Sequence, residues 1–252
     1  MKSFLKSSNK IYFASDLHLG VPSREDSLVR EKHFIRWLDT IKKDADAIYL
    51  VGDIFDFWFE YKKVVPKGYI RLLGKLAELS DEGIPIYIFT GNHDMWMFDY
   101  LEKELNITVF REPIKIRLNN KTFLIGHGDG LGPGDYGYKI LKKIFSNPIC
   151  KWFFARIHPN LGISIAQYWS KKSRIANGQK DELDKGDKEY LVQYCNEVLK
   201  DSQIDFFIFG HRHLPIYKNL TNQSVYINLG EWVNYYSYAE FDGETVSLKY
   251  FK

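Results

Sequence analysis

The stretch IPIYIFTGNHD, residues 84–94, carries the fold. An apolar, β-branched and aromatic run of strand length ends in Gly, and Asn92, His93 and Asp94 follow at once. That is a buried strand delivering polar side chains at its C-terminal end. The two earlier runs of this kind are KIYFAS (10–15), followed by Asp16 and His18, and DAIYLVGD (46–53), which ends on Asp53. Helical patterns over 24–43 and 68–80 separate the three, and a short helix is expected over 95–105. Alternation of strand and helix predicts a sheet covered by helices, with ligands at the carboxyl ends of its strands.

Further along, the period shortens. ITVFRE, PIKIRL and KTFLIGHGD read as successive strands with a turn at Asn119-Asn120, and DFFIFGH (205–211), SVYINLGEW (224–232) and a hairpin over 235–251 complete a second β-rich half. The expected fold is α/β, a two-sheet sandwich in one domain over 1–252. A helical insertion over about 136–200 carries YGYKILKKIF, PICKWFFARI and SIAQYWSKKSRIA and acts as a cap.

Composition supports a globular chain: 45% apolar and 27% charged over 252 residues, enough to bury a core without staples. No apolar run approaches the roughly 20 residues of a spanning helix, and the first residues pass into strand without a leader pattern, so a cytoplasmic location is expected. Cys150 and Cys195 are far apart, which excludes a disulfide framework or thiolate zinc site. Net charge is +3, but residues 139–180 hold nine Lys and Arg and no Asp or Glu, leaving 26 basic against 32 acidic residues elsewhere.

Five strands are followed by His, Asp or Asn: Asp16 and His18, Asp53, Asn92 with His93 and Asp94, His127 with Asp129, and His211 with His213. One such residue is an ordinary cap or turn. Five clusters at the same end of one sandwich would bury many titratable groups together, which is costly unless cations take them up. Four His, two carboxylates and an amide exceed one tetrahedral ion and suit two divalent ions. Such a centre favours an anionic substrate such as a phosphate ester.

In order and spacing, DLH, GDIFD, GNHD, HGD and GHRH resemble the calcineurin-like metallophosphoesterases. The resemblance spans residues 16–213 and implies a metal-dependent hydrolase. It implies Asp16, His18 and His213 at one metal, Asn92, His127 and His211 at the other, and Asp53 between them. Hydroxide would attack phosphorus in line, with His93 facing the substrate as a catalytic group and Asp94 orienting its ring. Asp56 and Asp129 are either partners to ligand histidines or turn residues. Without thiolates the donor set suits Mn, Fe or Zn, with manganese first.

Within that family the helical insertion is most similar to the UDP-2,3-diacylglucosamine diphosphatases of lipid A synthesis. HGDGLGPGDYGY (127–138) and SRIANGQK (173–180) carry the likeness, which implies Asp135, Ser173, Asn177 and Lys180 as contacts to sugar and diphosphate, with Asn92, His93 and His211 also on the substrate. Members of that branch carry Arg where this chain has His93. Phe145, Trp152, Phe153, Phe154, Tyr168 and Trp169 interleave with the basic residues, a mixture suited to an anionic membrane surface or a lipid-bearing anion. The expected partners are therefore a lipid-linked nucleotide diphosphate and the inner face of the cell membrane; nucleic acid is the less expected one, and no obligate protein partner is indicated. A phosphodiesterase on another nucleotide diphosphate is the second reading. A non-catalytic scaffold would have lost ligands, and all seven are present.

Overall fold

Strand alternation sorts the side chains of the first half into two interior layers. In the computed structural model, which describes residues 10–134, 136–177 and 184–252, and only the backbone at 171 and 173–177, β1 (Lys10–Ala14), β2 (Ala45–Val51) and β3 (Ile86–Phe89) run parallel. Their Tyr12, Ala14, Ile48, Leu50, Ile86 and Ile88 face α1 (Arg24–Ile41) and α2 (Ile70–Asp81). Their Phe13, Tyr49, Val51 and Phe89 face the other way, into the space between two sheets. This is the period-2 rule of a strand buried on both faces.

The helices are held by their own signals. Ser23 caps α1 by accepting a hydrogen bond from Asp26 N at 3.1 Å, and Glu25 and Asp26 sit in its first turn. Phe34, Trp37, Leu38 and Ile41 follow at helical spacing and are buried.

After α3 (Tyr100–Leu105) come β4 (Thr108–Phe110), β5 (Ile114–Leu118) and β6 (Lys121–Gly126). Then α4 (Tyr136–Ser146), α5 (Pro148–Phe154) and α6 (Pro159–Asn177) precede a 3-10 turn at Gly186–Lys188 and α7 (Tyr190–Val198). Last are β7 (Phe206–Phe209), β8 (Pro215–Asn219), β9 (Val225–Leu229), β10 (Ser237–Phe241) and β11 (Val246–Tyr250). One sheet has the order β11-β10-β1-β2-β3-β4 and the other β5-β6-β7-β9-β8. Phe123, Phe206, Ile208, Ile227 and Leu229 meet Phe13, Tyr49 and Phe89 between them, with Phe13 and Phe123 stacked at 6.0 Å. Leu191, Val192 and Cys195 of α7 cover the outer face of the second sheet at Phe207 and Phe209. The layers are helix, sheet, sheet, helix.

Four expectations are corrected. β4 and the β10–β11 hairpin belong to the first sheet, the hairpin antiparallel to β1, because alternation sets which faces are buried and leaves the neighbouring strand open. No helix begins at Met95: Phe98, Asp99 and Tyr100 donate their backbone N–H to Glu60 Oε2 at 2.7, 2.7 and 3.1 Å, so α3 starts only at Tyr100. Gly68 and Tyr69 have φ of 111° and 59° and lie outside α2. Finally, α7 falls inside the expected cap range yet packs on the second sheet, so α4 to α6 are what stands over the site.

Those three helices pack on the core where Phe145, Phe154, Ile163 and Ala166 meet Phe57, Phe59 and Trp96. Trp96 also donates its indole N–H to Phe145 O at 2.9 Å. Elsewhere they expose Ile140, Ile149, Trp152, Phe153, Tyr168 and Trp169. Among the described residues no helix is long and apolar enough to cross a membrane.

Candidate metal centre

The polar clusters converge where the parallel strands end. Asp16, His18, Asp53, His211 and His213 all adopt the left-handed region, with φ between 45° and 69°. Non-glycine residues held there are strained, and such strain concentrates where the fold fixes side chains for a purpose. Space is equally tight: a Cβ on Gly52, whose φ is 84°, would lie 2.5 Å from His127 Nδ1, and one on Gly210 2.5 Å from Asp16 Oδ2.

Each central carboxylate splits its oxygens between two tasks. Asp53 Oδ1 accepts from His93 N at 2.9 Å and Asp16 Oδ2 from His211 N at 3.0 Å, binding neighbouring strand ends together. Asp53 Oδ2 and Asp16 Oδ1 are buried without a hydrogen-bond partner. The bare oxygens lie among histidine nitrogens: Asp53 Oδ2 is 3.3 Å from His127 Nε2 and 3.7 Å from His18 Nε2, and Asp16 Oδ1 is 3.2 Å from His213 Nε2. His18 Nε2 and His213 Nε2 face each other at 3.0 Å. His127 Nδ1 lies 2.9 Å from Val51 O, which accepts its proton and turns Nε2 inward, where Asn92 Oδ1 stands 3.2 Å away.

Besides a group of His18, Asp56 and His93, two groups of donor atoms each lie within 4.8 Å: Asp16, His18, Asp53 and His213, and Asp53, His127 and His211. Asp53 is common to both. Bare buried carboxylate oxygens beside inward nitrogens are what a cation would satisfy, and the donors fit a dinuclear metal site.

Electrostatics agree. Burial pushes His18 and His211 down to about 4, so both are neutral lone-pair donors near pH 7. Burial opposes ionisation of Asp16 and Asp53, but the surrounding histidines outweigh it and hold both well below the usual carboxylate range. Burial also opposes a charge on His127, and there Asp53 wins, raising it above the ordinary imidazole value. A proton on His127 occupies the place of a cation.

Asp94 does not orient His93, which corrects that expectation. Its carboxylate accepts backbone N–H bonds from Gly91 (2.7 Å), Ile54 (2.8 Å), Asp53 (3.3 Å) and Phe55 (3.3 Å), locking one strand end to the next. Burial, then the charge of Asp53, lifts it to about 7. The His93 ring is held by Asp56 instead, with Nδ1 3.0 Å from Asp56 O and 3.5 Å from Asp56 Oδ1. Asp129 is pinned to the cap: Tyr138 OH donates to Oδ2 at 2.6 Å and Lys142 Nζ lies 2.7 Å from the same oxygen.

Asp135 and Lys180 lie outside the described residues. Ser173 and Asn177 lie on the last turns of α6, their side chains likewise outside. Sequence reasoning missed Arg212, between two candidate ligands, whose Nε and Nη2 donate to Glu189 at 2.8 and 2.9 Å in a buried pair. It also missed Ser170, which touches Asp56 and His93. Arg212 lies inside a quoted motif, but nothing local to it points at Glu189, and nothing local marks Ser170.

A family model described as calcineurin-like phosphoesterase matches residues 9–215. A Porphyromonas gingivalis protein named UDP-2,3-diacylglucosamine hydrolase is 39% identical, the match covering 96% of this chain and 97% of that protein. One of the same name from Vibrio parahaemolyticus is 28% identical, covering 94% and 96%. Among solved structures, the E. coli phosphoesterase Yfce is similar with a TM-score of 0.45 and 14% identity, over 96% of this chain and 100% of that one.

Proposed function

This chain belongs to the calcineurin-like phosphoesterase family and is a metal-dependent hydrolase, and from that premise we propose that it cleaves the diphosphate of UDP-2,3-diacylglucosamine. The products would be UMP and 2,3-diacylglucosamine 1-phosphate, a step of lipid A biosynthesis. The observation that carries this reading is two donor groups sharing Asp53 beneath helices that expose aromatic and basic side chains. The full-length likeness to proteins named for that activity supports it.

Asp16, His18, Asp53 and His213 would hold one divalent ion and Asp53, Asn92, His127 and His211 the other. Manganese suits these oxygen and imidazole donors, as would iron or zinc. When bound, the ions supply Lewis-acid charge at the reacting phosphate and lower the pKa of water there. The chain's own part is orientation. His93, 15% exposed at its side chain and with Nδ1 committed to Asp56, has Nε2 left to face the substrate. Asp135, Ser173, Asn177 and Lys180, with His211, are the proposed contacts to sugar and diphosphate.

We place the enzyme on the inner face of the cell membrane. Trp152 and Phe153 are 52% and 63% exposed on α5, and the Arg156 guanidinium stacks on Trp152 at 3.4 Å, an aromatic and cationic surface suited to anionic headgroups.

A manganese-supplemented assay in detergent micelles tests the substrate, with UDP-sugars and bis(p-nitrophenyl) phosphate for comparison. Preferential release of UMP from the lipid is expected. Hydrolysis of the small diester alone would keep the metal centre and remove the lipid from the reading.

A further inference from the structure

The face of α6 that carries Ile163 and Ala166 reaches beyond apolar packing. Ile163 and Ala166 sit on the Phe57, Phe59 and Trp96 cluster, and at the next position on that face comes Ser170, 9% exposed. Its hydroxyl lies 3.1 and 3.0 Å from Asp56 Oδ1 and Oδ2, and 3.3 Å from His93 Nδ1. Asp56 is itself 3% exposed and holds the His93 ring through its backbone carbonyl at 3.0 Å.

The donor count orders this triangle. A carbonyl oxygen only accepts, so Nδ1 of His93 carries the hydrogen. The Asp56 carboxylate also only accepts, so the single Ser170 hydroxyl proton goes to it, and the serine lone pairs are left toward Nδ1–H. Each bond thereby fixes the next, and the imidazole is left with Nε2 for the reaction. Of the three members, Ser170 alone comes from the cap.

We propose that Ser170 is a positioning residue: its hydroxyl on α6 holds Asp56 and the His93 ring in the orientation that presents Nε2 to the substrate, so the site is competent only with α6 seated. The proposal rests on the hydrolase reading of this centre with His93 beside the substrate. It makes the cap part of the reaction geometry as well as a surface for the substrate.

Ser170→Ala, Ser170→Thr, His93→Gln and the double variant Ser170→Ala with His93→Gln decide it, assayed on both UDP-2,3-diacylglucosamine and bis(p-nitrophenyl) phosphate. The alanine variant is expected to lose about tenfold in kcat with KM within about twofold, the scale of loss when an orienting partner is removed. Ser170→Thr, which keeps the hydroxyl, restores most of it. In the His93→Gln background the alanine change costs nothing more, since its effect passes through the missing ring. An equal loss in that background, or a raised KM with unchanged kcat, overturns the proposal.

Histidine ring nitrogen NMR of the zinc-loaded, diamagnetic protein gives a second readout, with His93 assigned from the His93→Gln variant. Wild type should show one sharp set of Nδ1–H signals, and Ser170→Ala the same tautomer with its ring signals shifted and broadened by exchange between orientations. Identical His93 signals in both overturn the proposal. This readout needs no substrate, so failure of wild type to hydrolyse the UDP-lipid would remove that substrate while the NMR result and the diester kinetics still decide the role of Ser170.

Discussion

Asp53 and Asp16 each do two jobs with two oxygens. One oxygen takes a backbone N–H from a neighbouring strand end, and the other stays bare among histidine nitrogens. A carboxylate so divided is both a fold tie and a ligand. Because Asp53 belongs to both donor groups, Asp53→Ala should empty both sites. Elemental analysis after dialysis against manganese is expected to find two ions per chain in wild type and none in the variant, with hydrolysis at background. A fully active Asp53→Ala protein would refute the site described here. Asp94 teaches the complement: beside the same ligands in sequence, it is fully enclosed by backbone donors and holds the turn.

Among the elements, α7 is the one whose work differs from its place in the chain. It follows the cap helices directly yet closes the second sheet, and Glu189 at its start grips Arg212 between His211 and His213. Burial works against the Glu189 charge, but Arg212 outweighs it and lowers its pKa. Side chains here are 2% and 1% exposed, so the pair is shielded from water and from salt. Glu189→Gln should therefore cost more in urea unfolding than the ~1 kcal/mol or less of an exposed pair. A loss under about 1 kcal/mol would show that the pair adds no more than a surface one. The helices themselves were legible because apolar residues recur at helical spacing, as at Phe34, Trp37, Leu38 and Ile41. Their roles were not, since the 136–200 range mixes helices that roof the site with one that roofs a sheet.

At the scale of the whole molecule, the centre should make stability depend on pH. In the metal-stripped protein His18 and His211 are held down to about 4 from an ordinary 6.5, so between those values the unfolded chain binds protons that the folded one refuses. Stability present near neutral pH is therefore lost as pH falls through that window. His127 has the opposite sign: its raised pKa contributes stability at low pH that is lost as pH rises through the folded value. Asp16 and Asp53, held low, lose their contribution only in strong acid. Asp94, lifted to about 7, acts against that loss between about pH 7 and pH 4, so the net fall in melting temperature is expected in the metal-free Asp94→Asn protein, where two histidines stand against one, from about pH 7 to pH 5. The rise on adding manganese should shrink over the same range, because ligand imidazoles must be neutral. Scanning calorimetry with and without chelator checks both, and a flat or rising trace below neutrality would contradict the burial of these rings.

The sequence by itself determined the chemistry: strands identified by apolar runs, polar clusters at their C-terminal ends, and ligand types that suit two divalent ions. These are local, since a strand and the turn after it need only a few consecutive residues to declare themselves. Tertiary structure alone decided which strands became neighbours, so the β10–β11 hairpin lies beside β1, and a period of two could not say so. It alone chose Asp56 over Asp94 as the partner of His93, and brought Ser170 to both across 114 and 77 residues of chain. Those contacts are made between side chains whose meeting depends on how layers stack, and no spacing along the chain records it.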